Sequence, residues 1–186
     1  SRLNLGKFRQ VEDSLWSFAP HDISMILALA GGCPTHVSSI GHSALQEGIA
    51  DVSFTHFKFA SGLSGHIHVS WLHPYKEQKL VVIGSKGMAV FDDSEPWDKK
   101  LMFYPDPVNW DSGRPSPRRQ DGRAITLIPE EPLLLECKHF LDCIENGKSP
   151  ITDIDEGIRV LEVLILAEKS MKSNGAIELI AADRPI

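Results

Sequence analysis

The residues best suited to chemistry fall in one stretch, Ser14-Leu15-Trp16-Ser17-Phe18-Ala19-Pro20-His21-Asp22-Ile23, where an imidazole stands beside aromatic side chains. Pro20 suits the first turn of a helix, so His21 is expected there. The helix's positive end disfavours imidazolium and leaves a neutral ring able to accept a proton. That is the profile of a general base. A histidine serving as a structural hydrogen-bond donor beside a helix cap fits the same residues. His66 and His68 share one strand face at i, i+2, and a metal hydrolase built on them would carry zinc. No carboxylate or cysteine at matching spacing accompanies them, so no metal is expected. His36, His42 and His56 are scattered on strands and are expected to line sheet surfaces. Ser-His-Asp hydrolysis needs a nucleophile on a G-x-S-x-G turn, which the sequence lacks. No G-x-G-x-x-G follows a strand, and Gly84 and Gly87 lie between two strands rather than opening a helix, so the chain does not cradle a dinucleotide pyrophosphate. The loop Trp71-Leu72-His73-Pro74-Tyr75-Lys76-Glu77-Gln78-Lys79 either contacts a polar ligand or covers a sheet edge.

The elements that must position these groups follow from periodicity. Residues 3–9 alternate apolar and polar and read as the end of a strand. Residues 17–30 read as a helix, with Ile23, Ile26, Leu27 and Ala30 at three- and four-residue spacing and Gly31-Gly32 as its stop. Strands are predicted at 36–43, 51–59, 65–72, 78–84, 88–92 and 100–104, and their short links imply antiparallel neighbours. On the third of these, Ile67, Val69 and Trp71 point one way and His66, His68 and Ser70 the other. Residues 106–123, with Pro107, Pro115, Pro117, Arg114, Arg118, Arg119 and Arg123, read as an exposed mobile insertion. Helices are predicted at 132–146, with the stripe Leu133, Cys137, Phe140, Leu141 and Ile144 and the cap Gly147, and at 153–173 behind a Thr152/Asp155 capping box. The apolar positions of the last helix nearly encircle it, so burial on more than one side is expected. Residues 177–179 form a last short strand. The fold class is α+β: a two-layer domain with a large, mostly antiparallel, open-faced sheet and helices on one face. The other face is a candidate for subunit contact.

The 186 residues correspond to one domain, and 42% hydrophobic with 24% charged residues is an ordinary globular composition. A formal charge of −6 offers no field for a polyanion, so nucleic acid is not an expected partner. No apolar stretch approaches the roughly 20 residues that span a bilayer. The amino end carries neither a leader-like apolar run nor an initiator Met, which suggests a fragment. Cys33, Cys137 and Cys143 contain no C-x-x-C pair and fit reduced thiols in a cytoplasmic protein, two of them in the core.

Three blocks, in order along nearly the whole chain, resemble the carboxy-terminal domain of the glucose-fructose oxidoreductase, inositol dehydrogenase and MocA (Gfo/Idh/MocA) family. They are Pro20-His21-Asp22-Ile23; Phe59-Ala60-Ser61-Gly62-Leu63 through Ser70-Trp71 with Val82-Ile83-Gly84-Ser85-Lys86-Gly87-Met88; and Phe140-Leu141-Asp142-Cys143-Ile144-Glu145-Asn146-Gly147-Lys148-Ser149-Pro150 with the final helix. The resemblance implies that residues 1–186 are a substrate-binding and oligomerisation domain, that an N-terminal Rossmann domain outside this chain binds NAD or NADP, and that His21 is the catalytic histidine. The substrate would be a sugar or nucleotide sugar, positioned by Trp16, Lys76 and Arg2 or Asn4. His21 would take the hydroxyl proton while hydride leaves the same carbon for the nicotinamide. Subunits would pair as a homodimer or homotetramer through the open sheet face. Many members have Asp four residues before the histidine, where this chain has Ser17. The segments around Ser1 to Lys7 and Leu15 to His21 are similar to the branch that oxidises UDP-N-acetylglucosaminuronic acid. The rival reading is a non-catalytic binding or dimerisation module using the same sheet face.

Overall fold

The computed structural model describes residues 1–105, 108–118 and 120–180. The described chain divides into two compact units, residues 1–76 with 148–180, and residues 77–147. Asp106, Pro107 and Arg119 of the expected insertion lie outside the described residues.

The first unit is a five-stranded sheet with two helices on one face. Its strands run in the order β1 (Arg2–Leu3), β4 (Ser64–Ser70), β3 (Val52–Lys58), β2 (His36–His42), β11 (Glu178–Leu179). The ladders are antiparallel except β1 with β4, where Arg2 pairs Val69 and Leu3 pairs Ser70 in parallel. Helix α1 (Ser14–Ala30) buries Leu15, Ala19, Ile23 and Leu27, a four-residue repeat that lays one stripe on Phe57, Ile67 and Val69. Helix α3 (Ile154–Lys172) adds Val163, Leu164 and Ala167 to the same core. Each fully buried aliphatic or aromatic side chain there is worth about 1.5–3 kcal/mol. Ser170 on α3 joins helix to strand by polar contact: its hydroxyl accepts from the Ser39 amide at 2.8 Å and donates to the Ala176 carbonyl at 2.6 Å.

The second unit holds the sheet β10 (Arg123–Ala124), β7 (Leu101–Pro105), β6 (Gly87–Asp92), β5 (Glu77–Gly84), a hairpin of β8 (Val108–Asp111) with β9 (Arg114–Pro117), and helix α2 (Pro132–Asn146). Asp92 anchors this sheet through Lys79 at 3.0 Å and through the Ser94 backbone and hydroxyl.

The fold class is as expected, and several details differ. Helix α1 starts at Ser14, not Ser17, because the Asp13 carboxylate caps it by accepting from the Trp16 amide at 3.0 Å. Pro20 therefore lies inside the helix. Only Arg2 and Leu3 of the amino-terminal run pair as a strand. Helix α3 is capped by Asp153 rather than Thr152, and it is buried on one side only: Ile158, Leu161 and Ile165 are 44%, 50% and 54% exposed. Of the cysteines only Cys143 is buried, since Cys137 six residues earlier turns outward. The expected loop contains the β8–β9 hairpin, closed by Ser112 and Gly113 at φ 50° and 80°, the left-handed pair that two-residue hairpin turns require.

Candidate active site

Of the expected site residues, Arg2 and Asn4 lie on or just after β1, Trp16 and His21 on α1, and Lys76 at the end of the segment that follows β4. Strands β1 and β4 run in parallel, so Asn4 and the segment after Trp71 leave the sheet at the same edge, where the Asn4 amide donates to the Ser70 carbonyl at 3.0 Å. The start of α1 is fixed at that edge by the Ser14 amide, which donates to the Ala50 carbonyl at 2.8 Å. Asp51 ties the corner together. Its Oδ1 accepts from the Trp71 indole Nε1 at 2.6 Å, and its Oδ2 accepts from the Ala44 and Leu45 amides at 2.6 and 2.9 Å. Burial pushes the Asp51 carboxyl up, but the indole and the two amides outweigh it and hold the group below the ordinary aspartate value.

Trp16 sits on the first turn of α1, half-buried against the core. The next residue, Ser17, donates to Glu12 at 2.6 Å, and Arg9 meets the same carboxylate oxygen at 2.8 Å. His21 follows Ser17 by four residues, which puts the two on one helix face. The imidazole is exposed, while its neighbour Asp22 is buried and faces Arg2 of β1 at 3.6 Å. Burial raises the Asp22 carboxyl, against the lowering effects of Arg2 and His21, and its Oδ2 has no hydrogen-bond partner.

Two expectations change here. His21 is the eighth residue of α1, and the field of a helix's free amides fades within the first turn, so the argument from the helix's positive end does not apply to it. Arg2 faces Asp22, the residue beside His21, so its guanidinium has a partner within the chain. Lys76 is exposed beyond the His73–Tyr75 ring pair, and among the described residues no hydrogen bond or ion pair joins it to His21, Trp16, Arg2 or Asn4. Sequence reasoning did not select Asp51, Asp22 or Glu12. The only trace of Asp51 in the sequence is a carboxylate at the entry to a strand behind Gly48.

Each helix N-terminus is occupied by a carboxylate: Asp13 on the Trp16 amide, Glu131 on that of Leu134, Asp153 on that of Glu156. Each of these caps places a negative charge where an anion would otherwise bind. Among the described residues no group of three or more His, Cys, Asp or Glu could hold a metal ion, and the His68 ring stacks on Phe54 at 4.3 Å. A cavity of about 250 Å³ lies at the other end of α1, lined by Leu27, Gly31, Gly32, Ile151, Glu156 and Arg159.

The model of the GFO/IDH/MocA C-terminal domain matches residues 9–90, which hold α1, His21, strands β2 to β5 and the start of β6. That stretch resembles the C-terminal domain of the GFO/IDH/MocA family. The chain is 29% identical over 174 residues to scyllo-inositol 2-dehydrogenase (NAD(+)) of Bacillus subtilis, covering 86% of this chain and 45% of that protein. The fold matches UDP-N-acetylglucosamine 3-dehydrogenase GnnA of Acidithiobacillus ferrooxidans at a TM-score of 0.76 and 19% identity, over 92% of this chain and 52% of that one. It also matches the WlbA dehydrogenase of Bordetella pertussis, solved with NADH and UDP-GlcNAcA, at a TM-score of 0.65 and 16% identity, over 92% of this chain and 46% of that one. The chain thus spans about half the length of the relatives it matches.

Proposed function

We propose that this chain is the substrate-binding and subunit-pairing half of an NAD(P)-dependent dehydrogenase acting on a sugar or nucleotide sugar. The observation that carries the reading is the exposed His21 on α1, next to the buried Asp22 that faces Arg2. Oxidising a secondary alcohol removes a proton from oxygen and a hydride from carbon, and His21 is the group in this chain for the proton. Trp16 offers an aromatic flank on the same helix, Asn4 an amide at the end of β1, and Lys76 a cation on the segment leaving β4. Ser17 hydrogen-bonds Glu12, so the carboxylate that many relatives carry four residues before the histidine is approached here through a hydroxyl.

The nicotinamide cofactor, NAD or NADP, belongs to an upstream Rossmann half, a reading supported by relatives about twice as long as this chain. A nucleotide sugar is favoured by the likeness to UDP-sugar dehydrogenases, and UDP-N-acetylglucosaminuronic acid is the first candidate. Subunits pair through the open face of the first unit's sheet, as a dimer or tetramer. The protein works in the cytoplasm, in keeping with three free thiols, and no helix of the described residues is long and apolar enough to cross a membrane.

The test is to read the sequence upstream of Ser1 for a glycine-rich βα turn and a Glu-Lys-Pro motif, then assay the longer protein against UDP-sugars and free polyols with both cofactors. Formation of reduced cofactor with at least one of these is the expected result. A Rossmann half present with no oxidation of any of them would overturn the proposal.

A further inference from the structure

The cavity beyond the end of α1 brings together three polar features that the chain leaves unmatched. The first is the helix end itself. The Gly31 and Gly32 amides both donate to the Leu27 carbonyl, at 3.0 and 3.3 Å, so the carbonyls of Ala28, Leu29 and Ala30 accept no backbone hydrogen bond among the described residues. The last turn of α1 holds no basic side chain, which leaves its negative end without a cation of its own.

The other two features stand on α3. Glu156, in its first turn, lines the cavity and is held there by the Ser24 hydroxyl, which donates to it at 2.5 Å. A carboxylate accepts several hydrogen bonds, and Ser24 supplies one. Arg159 lines the same cavity, half-buried, and its guanidinium makes no hydrogen bond or ion pair among the described residues. The carboxylate three residues before it is its natural partner on a helix, and that one is turned to Ser24. Asp153 is occupied in capping α3. Glu162 lies on the side of Cys33: burial pushes that thiol up, and Arg159 and Glu162 act on it with opposite signs. Buried Leu27 and exposed Ile151 supply apolar wall. At about 250 Å³ the cavity falls below the roughly 300–1,000 Å³ of sites for drug-sized ligands, which restricts it to a small molecule.

A simple anion would meet Arg159 but be repelled by Glu156 and by the end of α1. A simple cation would meet those two and leave the guanidinium unpaired. One small molecule carrying both charges satisfies all three, and a planar guanidinium matches a carboxylate through two parallel bonds. We propose that the cavity binds a free α-amino acid with an aliphatic side chain. Its carboxylate takes the fork of Arg159, its ammonium meets Glu156 and the carbonyl end of α1, and its side chain lies on Leu27 and Ile151. None of the residues assigned to the sugar substrate lines this cavity, so the proposal does not rest on the dehydrogenase reading.

Isothermal titration calorimetry of the full chain with L-valine, near neutral pH and at low ionic strength, tests it. The expected result is a Kd of about 1 mM or tighter, with isovalerate and isobutylamine, which each keep one of valine's two charges, at least about tenfold weaker. Arg159→Met and Glu156→Gln should each weaken L-valine at least about tenfold, with circular dichroism unchanged. No binding at about 10 mM L-valine would overturn the proposal. Isovalerate or isobutylamine binding as tightly as valine would overturn it too, as would valine affinity unchanged in Arg159→Met. If a variant does not fold, the comparison of the three ligands on the unaltered chain still decides.

Discussion

Asp51 occupies three donors with one carboxylate, and through them it fixes the exit of β4, the link between β2 and β3, and the edge on which α1 begins. Replacing it with Asn keeps the size but weakens bonds to a charged acceptor, so Asp51→Asn is expected to cost about 1–3 kcal/mol at neutral pH in a urea titration. The pH dependence has a definite sign. The folded group lies below the ordinary aspartate value of 3.8, so its contribution is complete above that value and is lost as pH falls through the folded value. The gap between variant and parent should close under strong acid. Asp22 has the opposite sign, because burial raises it: the native state loses stability as pH rises through its folded value. His21 was legible in the sequence from its type and setting. Asp51 was not, because its indole partner lies 20 residues away and nothing local marks the pair.

At the scale of elements, Ser170 is the polar rivet between α3 and β2. Strand β11 pairs with β2 only at His36 and Val37, and the Ser170 hydroxyl takes the Ser39 amide just beyond. Ser170→Ala should destabilise the chain by about 1–3 kcal/mol, since it leaves a buried amide unpaired. Faster hydrogen exchange at Ser39 would locate the loss, and an unchanged rate there would contradict the assignment. Strands were the most legible elements, because alternation such as Ile67, Val69 and Trp71 against His66, His68 and Ser70 states which face is covered. The start of α1 was misread because a proline is expected in a first turn. The Asp13 cap lies seven residues ahead of Pro20, and tertiary packing of Leu15 and Ala19 carries the helix through it. The β8–β9 hairpin was hidden by Pro115 and Pro117, which a two-stranded ribbon tolerates because each strand has a free edge. The near-encircling apolar pattern of α3 overstated its burial. Periodicity reports which faces could be covered, whereas only α1 and the β2 side of the sheet meet it within the first unit.

For the whole molecule, the chain's −6 charge and the histidine-rich open face pull in different directions: acid residues dominate the surface as a whole while one face has none on its three long strands. The fold class was legible because alternating strands with short links and two late amphipathic helices describe one sheet layer under helices. The central claim is that His21 accepts the substrate's proton. Its most direct test is the turnover of His21→Ala in the longer protein, measured with the sugar that profiling identifies and with cofactor affinity measured alongside. The account predicts a fall in kcat of about 100-fold or more with cofactor affinity unchanged, and turnover within about twofold of the parent would contradict it.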